Sequence, residues 1–435
     1  MTAHALKVPQ RRGACPGLST PMATGDGLLV RLMPIGTMTL DAFVGLCSAA
    51  QRHGNGVVEV TSRGSIQIRG LSPASAPHFA STIAALGVAA EDGIPILSNP
   101  LAGLDPEEPI DASALAAAAR RALAHSAVAP RLSAKVSIAI DGGGSLSLDG
   151  IAADVRLCAA CINGRVGLRL SLGGDETNAT QLGVVALNDG STAIARLLGI
   201  LAQRGRTARV RDVIAAEGIE GFRAAIADLI INDVPRPPAR RHEAIGTHRL
   251  RDGSLARGVG LAFGHADAEA LQRLAEAARV AGASGMRTAP GRVLMIIGLT
   301  PQAATSFVDS AEALGFIVNA DDPRRHVVAC AGAPVCAAAE IAARAIAPQI
   351  ATTAAPQLDG SFKIHVSGCA KGCAHPTSAA LTIVGTSTGC ALIANGSAHD
   401  APFKVVAVDD LPAAVAAFAR EDRHVGERHI GNRHV

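Results

Sequence analysis

Residues 66–73 read Ile66-Gln-Ile68-Arg-Gly70-Leu71-Ser-Pro73, and residues 294–301 read Leu294-Met-Ile296-Ile-Gly298-Leu299-Thr-Pro301. The two strings agree at Ile, Gly, Leu and Pro with a constant offset of 228 residues. Working outward at that offset, Gly36 meets Gly264, Leu46 meets Leu274, Gly54 meets Gly282, Phe79 meets Phe307, and Leu86-Gly87 meets Leu314-Gly315. Across 36–90 there are 15 identities in 55 positions, five of them alanine in an alanine-rich chain. The Gly-Leu, Phe and Leu-Gly anchors survive that discount. Lys135 and Lys363 pair at the same offset, where each copy enters a new strand. The chain reads as a doubled unit, with chance alanine similarity as the competing reading.

Each copy reads strand, helix, strand pair, helix. Leu28 to Met33 is a short apolar strand, and Leu40, Phe43, Val44 and Cys47 recur at helical spacing after Thr39, a good N-cap. Val57–Val60 and Ile66–Ile68 flank Gly64 as a hairpin, and a helix follows near Phe79–Leu86. This predicts an α+β fold: a pseudo-twofold duplication of ferredoxin-like half-domains, each followed by a larger α+β segment. The expected boundaries are an N-terminal extension 1–24, half-domain 25–92, α+β domain 93–233, a Pro/Arg-rich linker 234–250, half-domain 251–319, α+β domain 320–420 and a charged tail 421–435. His424, His429 and His434 recur in that tail, which reads as a solvated segment before a metal site.

Composition narrows the function. The 435 residues are 49% hydrophobic and 18% charged, which is globular and multi-domain. Trp and Tyr are absent, so the stacking platforms of single-strand binders are missing, and a net charge of +3 does not imply nucleic acid. No signal-like N-terminus and no long uncharged apolar run appear, which predicts a cytoplasmic protein with no membrane partner. Clustered cysteines in such a chain read as metal or redox ligands rather than disulfides.

Cys330-Ala-Gly-Ala-Pro-Val-Cys336 and Cys369-Ala-Lys-Gly-Cys373 form C-x5-C and C-x3-C pairs, separated by 32 residues. Four thiolates on two loops suit a [4Fe–4S] cluster, since soft sulfur selects Fe–S or zinc. Structural zinc favours C-x2-C pairs, and unligated cysteines are the third reading. Gly332, Gly368 and Gly372 would let backbone N–H groups approach the cluster sulfurs. Cys158-Ala-Ala-Cys161 has no partner pair and reads as unligated; Cys15, Cys47 and Cys390 are isolated.

The cysteine spacing, at this end of a doubled chain, resembles the siroheme-type sulfite and nitrite reductase superfamily. Arg31-Leu-Met-Pro34-Ile-Gly36-Thr-Met-Thr39, Thr61-Ser-Arg63-Gly-Ser-Ile-Gln67, Ser98-Asn-Pro100 and the strand entry at Lys135 are similar to its signatures. Asp92 and Ser137 stand where the reductases carry Arg and a second Lys, which argues against a dense site for sulfite or nitrite. Cys15-Pro-Gly-Leu-Ser-Thr-Pro-Met-Ala-Thr-Gly-Asp-Gly and Val366-Ser-Gly-Cys-Ala-Lys-Gly-Cys-Ala-His-Pro376 resemble the precorrin-3B synthase branch.

That resemblance implies an oxygen-dependent monooxygenase of aerobic cobalamin biosynthesis. It would hydroxylate precorrin-3A at C20, with γ-lactone formation. It further implies a [4Fe–4S] cluster, a mononuclear non-haem iron, dioxygen, and an external electron donor linked to NADH. Whether siroheme is bound stays open, as do the ligands of a mononuclear iron; His365 and His375 flank the C-x3-C motif, and His375, before Pro376, also reads as a loop cap. Arg63, Lys135 and Arg69 are the candidate cations for the carboxylates of a tetrapyrrole substrate. A siroheme-dependent reductase and a non-catalytic Fe–S electron carrier are the alternative functions.

Overall fold

The computed structural model describes residues 16–91, 93–124, 126–162, 164–232, 235, 237–238, 240, 243–358, 362–375 and 377–420. Cys15, Asp92, His242 and the tail histidines lie outside the described residues.

The first half-domain runs β1 (Met22–Thr24), β2 (Gly27–Leu32), α1 (Leu40–His53), β3 (Val57–Val60), β4 (Ile66–Leu71) and α2 (Ser75–Ala85). Thr39 caps α1 by accepting from Ala42 N at 3.1 Å. Leu40, Phe43, Leu46, Cys47 and Ala50 form the buried face of α1. The α2 helix starts earlier than its apolar residues suggested, through Ser75, whose amide donates to Ser72 Oγ.

Its α+β segment follows with β5 (Ile96–Ser98), α3 (Ala112–Ala124), β6 (Ile138–Asp141), β7 (Ala153–Ile162), β8 (Arg165–Gly174), β9 (Thr180–Val185), α4 (Gly190–Ala202), α5 (Val210–Glu217), α6 (Glu220–Ile226) and β10 (Ile230–Asn232). The second copy runs β11 (Gly246–Arg249), β12 (Leu255–Gly260), β13 (His265–Asp267), α7 (Ala268–Val280), β14 (Gly285–Ala289), β15 (Val293–Leu299) and α8 (Ala304–Ala313). Then come β16 (Val327–Ala329), α9 (Ala343–Ala354), β17 (Ile364–Ser367), β18 (Ala379–Thr386), β19 (Gly389–Gly396), β20 (Lys404–Val406) and a helical stretch over 411–420. The range read as linker therefore ends in a strand, because Gly246–Arg249 pairs antiparallel with β12.

The two half-domains share one apolar core, in which Phe43 and Leu46 of α1 meet Leu271 and Leu274 of α7. The strand pairing shows the duplication directly. Ala266 pairs with Val58, and Met38 pairs with Met286. The 228-residue offset maps Met38 onto Ala266 and Val58 onto Met286, so each pair is the other's pseudo-twofold mate. The Gly anchors have a backbone reason. Gly70 and Gly298 have φ of 71° and 86°, and a Cβ there would come within 2.7 Å of Asn55 Cβ and 2.6 Å of Ser284 Oγ.

The larger segments repeat a topology too. β5, β6 and β7 are parallel, with β8 and β9 antiparallel; β16, β17 and β18 are parallel, with β19 and β20 antiparallel. All four residues of β6 and all four of β17 are buried, as expected for parallel strands covered on both faces.

Candidate functional site

In sheets of parallel strands, binding loops gather at the carboxyl ends. Cys330 directly follows β16, and Cys369 comes two residues after β17, so the topology brings the two cysteine motifs to one sheet end. The loops interlock. Cys330 N donates to Val366 O at 3.2 Å, and Glu340 N donates to Gly368 O at 2.7 Å. Gly368 N donates to Cys330 Sγ at 3.0 Å. A Cβ on Gly368 would fall 2.7 Å from Ala339 Cβ and 3.2 Å from Gly332 Cα, so only glycine allows the approach.

Burial holds the Cys330 thiol above its ordinary value. The Gly368 and Gly332 amides pull it back, while Cys373 and Cys369 are near enough to raise it. Cys336 N donates to Gly332 O at 2.8 Å, and Gly25 packs on the Cys336 backbone. The donor set fits an iron–sulfur cluster: thiols sharing one sheet end, glycine backbone against them, and an N–H already aimed at sulfur.

A mononuclear iron is a different matter. Among the described residues no three His, Cys, Asp or Glu side chains, the motif cysteines included, converge closely enough to hold a single ion. Cys158 and Cys161 lie on β7, where positions three apart face opposite sides; Cys158 is buried and Cys161 exposed. They cannot share an ion.

A separate cavity of about 1000 Å³ opens in the first copy. Arg63, from the β3–β4 turn, and Lys135, just before β6, both line it, so the structure brings these two candidates together. None of the four motif cysteines lines it. Arg63 donates to Ala152 O at 2.9 Å and to Ser137 Oγ at 3.1 Å. Ser137 thus holds the arginine in place.

Arg206 and Arg209, between α4 and α5, and Arg211, in the first turn of α5, add three cations. Buried Asp154 grips Arg209 in a two-pronged pair, Nε–Oδ1 3.0 Å and Nη2–Oδ2 2.9 Å, and accepts from Ser137 N at 3.0 Å. Among the described lining residues, five cations face two carboxylates, Asp154 and Asp212. Such a wall favours a polyanion. Sequence reasoning missed the Arg206–Arg211 run, because its only signal is a basic stretch, which usually reads as solvated surface.

Arg69 stands apart from Arg63 and Lys135. It does not line the cavity. Its guanidinium is taken by Asp26, Nε–Oδ2 3.0 Å and Nη2–Oδ1 2.9 Å, with both side chains largely buried. It lies close enough to Cys336 for the two to interact electrostatically. It ties the β1–β2 turn to the sheet beside the cysteine loops.

Comparison with known proteins agrees with this architecture. The family described as nitrite/sulfite reductase ferredoxin-like half domain matches residues 20–86. The chain is 39% identical over 422 residues to a precorrin-3B synthase of Sinorhizobium sp, covering 96% of this chain and 91% of that protein. It is 29% identical over 350 residues to sulfite reductase [ferredoxin] 2 of Mycolicibacterium paratuberculosis, covering 73% and 62%. Among solved structures, the NirA protein of Mycobacterium tuberculosis superposes with a TM-score of 0.72 at 21% identity, covering 89% of this chain and 79% of that one. That likeness establishes the sulfite/nitrite reductase fold.

Proposed function

This chain belongs to the precorrin-3B synthase family, and we propose that it converts precorrin-3A to precorrin-3B, hydroxylating C20 and closing a γ-lactone with dioxygen and electrons from an external donor linked to NADH. The observation that carries the substrate class is the cavity, whose five cations against two carboxylates suit a macrocycle edged with acids. Scattered cations match scattered carboxylates, whereas a small dianion needs a dense cluster.

Cys330, Cys336, Cys369 and Cys373 would hold a [4Fe–4S] cluster, which when bound supplies one-electron transfer. The chain's own residues do the rest. Arg63, fixed by Ala152 O and Ser137 Oγ, presents a positioned donor to a rim carboxylate. Lys135 adds a mobile point charge at the same wall. Asp154 keeps Arg209 in one orientation, so its remaining N–H groups stay aimed. We keep the domain boundaries set out from the sequence as part of this proposal, with the strand Gly246–Arg249 assigned to the second half-domain because it pairs with β12.

The test is mass spectrometry of precorrin-3A incubated with the protein and a reductant, in isotopically heavy dioxygen and without dioxygen. The expected product is heavier by one oxygen, carries the label, and forms only with dioxygen. Sulfite or nitrite turnover with no oxygenated tetrapyrrole would overturn the reading.

A further inference from the structure

Beside the cysteine loops lies a second group of cations that no part of the cavity includes. Arg292 sits in the β14–β15 turn, Lys363 just before β17, and His365 within it. His365 is fully buried, yet among the described residues neither ring nitrogen has a hydrogen-bond partner. An unpartnered buried imidazole is unfavourable unless something fills its bonds. Its ring stands edge-on to His375, with centroids 5.7 Å apart. The nearest polar neighbours bring no acid. Arg292 acts electrostatically on Lys363, His365 and His375, and among the described residues no carboxylate pairs with any of the four.

Arg292 is also held deliberately. Its φ is 67°, a left-handed conformation that a long side chain rarely takes. Its stem lies flat on Gly264, where a Cβ would come within 2.6 Å of Arg292 Cδ. The turn that bears it touches the turn that bears Arg63: Gly291 N donates to Ser62 O at 3.0 Å, and Gly64 packs on Ala289 and Pro290. The two cationic regions therefore stand on adjoining, pseudo-twofold-related hairpin turns.

We propose that Arg292, Lys363 and His365 form an anion subsite for one rim carboxylate of the tetrapyrrole, which sets an edge of the macrocycle against the cysteine loops while Arg63 and Lys135 hold another edge. The carboxylate oxygens would accept from the Arg292 guanidinium, the Lys363 ammonium and one His365 N–H. A metal cation is disfavoured there by two fixed positive charges and no carboxylate. The inference rests on the tetrapyrrole reading above and deepens it.

The experiment titrates anaerobically purified holoprotein with uroporphyrin III, an octacarboxylate tetrapyrrole, at low and high ionic strength. Arg292→Met should weaken binding about ten-fold or more, and the Arg292→Met/Lys363→Met double variant should also flatten the salt dependence. Arg292→Lys should keep most of the affinity, and all variants should keep the wild-type cluster spectrum. Lys363→Met, at an exposed residue, keeps the test open should the Arg292 variants fold poorly. A double variant, or a folded Lys363→Met alone, that binds uroporphyrin as tightly as wild type with the same salt dependence overturns the subsite alone. Wild-type protein that does not bind uroporphyrin at all overturns the tetrapyrrole reading together with the subsite.

Discussion

Asn99 and Cys330 occupy the same place in the two copies: each directly follows the first of three parallel strands. In the first copy, Gly142, which follows β6, donates its N–H to Asn99 Oδ1 at 2.6 Å. In the second, Gly368, which follows β17, donates its N–H to Cys330 Sγ at 3.0 Å. The backbone frame is the same and the side chain differs. Asn99 closes its site with protein alone, donating to Asp141 Oδ1 at 3.0 Å and to Leu146 O at 2.6 Å, while Asp141 takes Leu148 N at 2.7 Å. Cys330 faces other thiols. One duplicated sheet end has become a sealed polar plug, and the other presents soft ligands. What a sheet end binds is decided by a few side chains on a backbone that both copies share.

The largest expected effect breaks this contrast at the thiols. Changing any one of Cys330, Cys336, Cys369 or Cys373 to Ser should remove most iron and sulfide and all activity. The paired change Cys158→Ala and Cys161→Ala, in the other copy, should leave both intact. Iron analysis and turnover of the purified variants check this; a full cluster in any single-Ser variant would remove that residue from the ligand set.

The plug should matter for stability and not for iron. Asp141→Ala strands Asn99 and Arg240, which reaches Asp141 at 3.3 Å. A loss of about 3–5 kcal/mol is expected on denaturant unfolding, with iron content per folded chain unchanged. Iron loss without a stability change would mean the two ends are coupled.

Smaller is Lys135→Ala. It should weaken tetrapyrrole binding about ten-fold, near 1.4 kcal/mol, and leave the cluster spectrum unaltered, as read by equilibrium titration and optical spectra. An altered cluster spectrum would place this lysine beside the cysteines.

An effect of similar size concerns His265, whose mate at the 228-residue offset is Thr37, a group that does not titrate. Burial, with Arg344 nearby, pushes His265 down from 6.5 to about 3. The unfolded chain then binds the extra proton first, so stability falls as pH drops from 6.5 towards 3. His265→Gln should flatten that fall by about 1–2 kcal/mol, discounted for partial exposure. Unfolding curves at pH 7 and pH 5 decide it, and an unchanged slope would refute the assignment.

The parts legible in the sequence were those with a strict local requirement. Gly70 and Gly298 announced the repeat because both must take positive φ against a crowded neighbour. Thr39 and the Leu40–Cys47 spacing announced α1 because a cap and a 3.6-residue period are local. The cysteine pairs were legible by spacing. The pairing of Arg69 with Asp26 was not legible, because a strand residue facing an acid looks the same in sequence as one facing a pocket. Arg209 was missed because its orientation depends on Asp154, 55 residues away. The strand Gly246–Arg249 was hidden by the proline-rich stretch before it and by its dependence on β12 for pairing.

The contrast between the two sheet ends is tested most directly by counting iron and acid-labile sulfide in protein purified without oxygen. The account predicts about four of each per chain, lost in Cys369→Ser and kept when Cys158 and Cys161 are both Ala. Zinc in place of iron, or iron that survives Cys369→Ser, would contradict it.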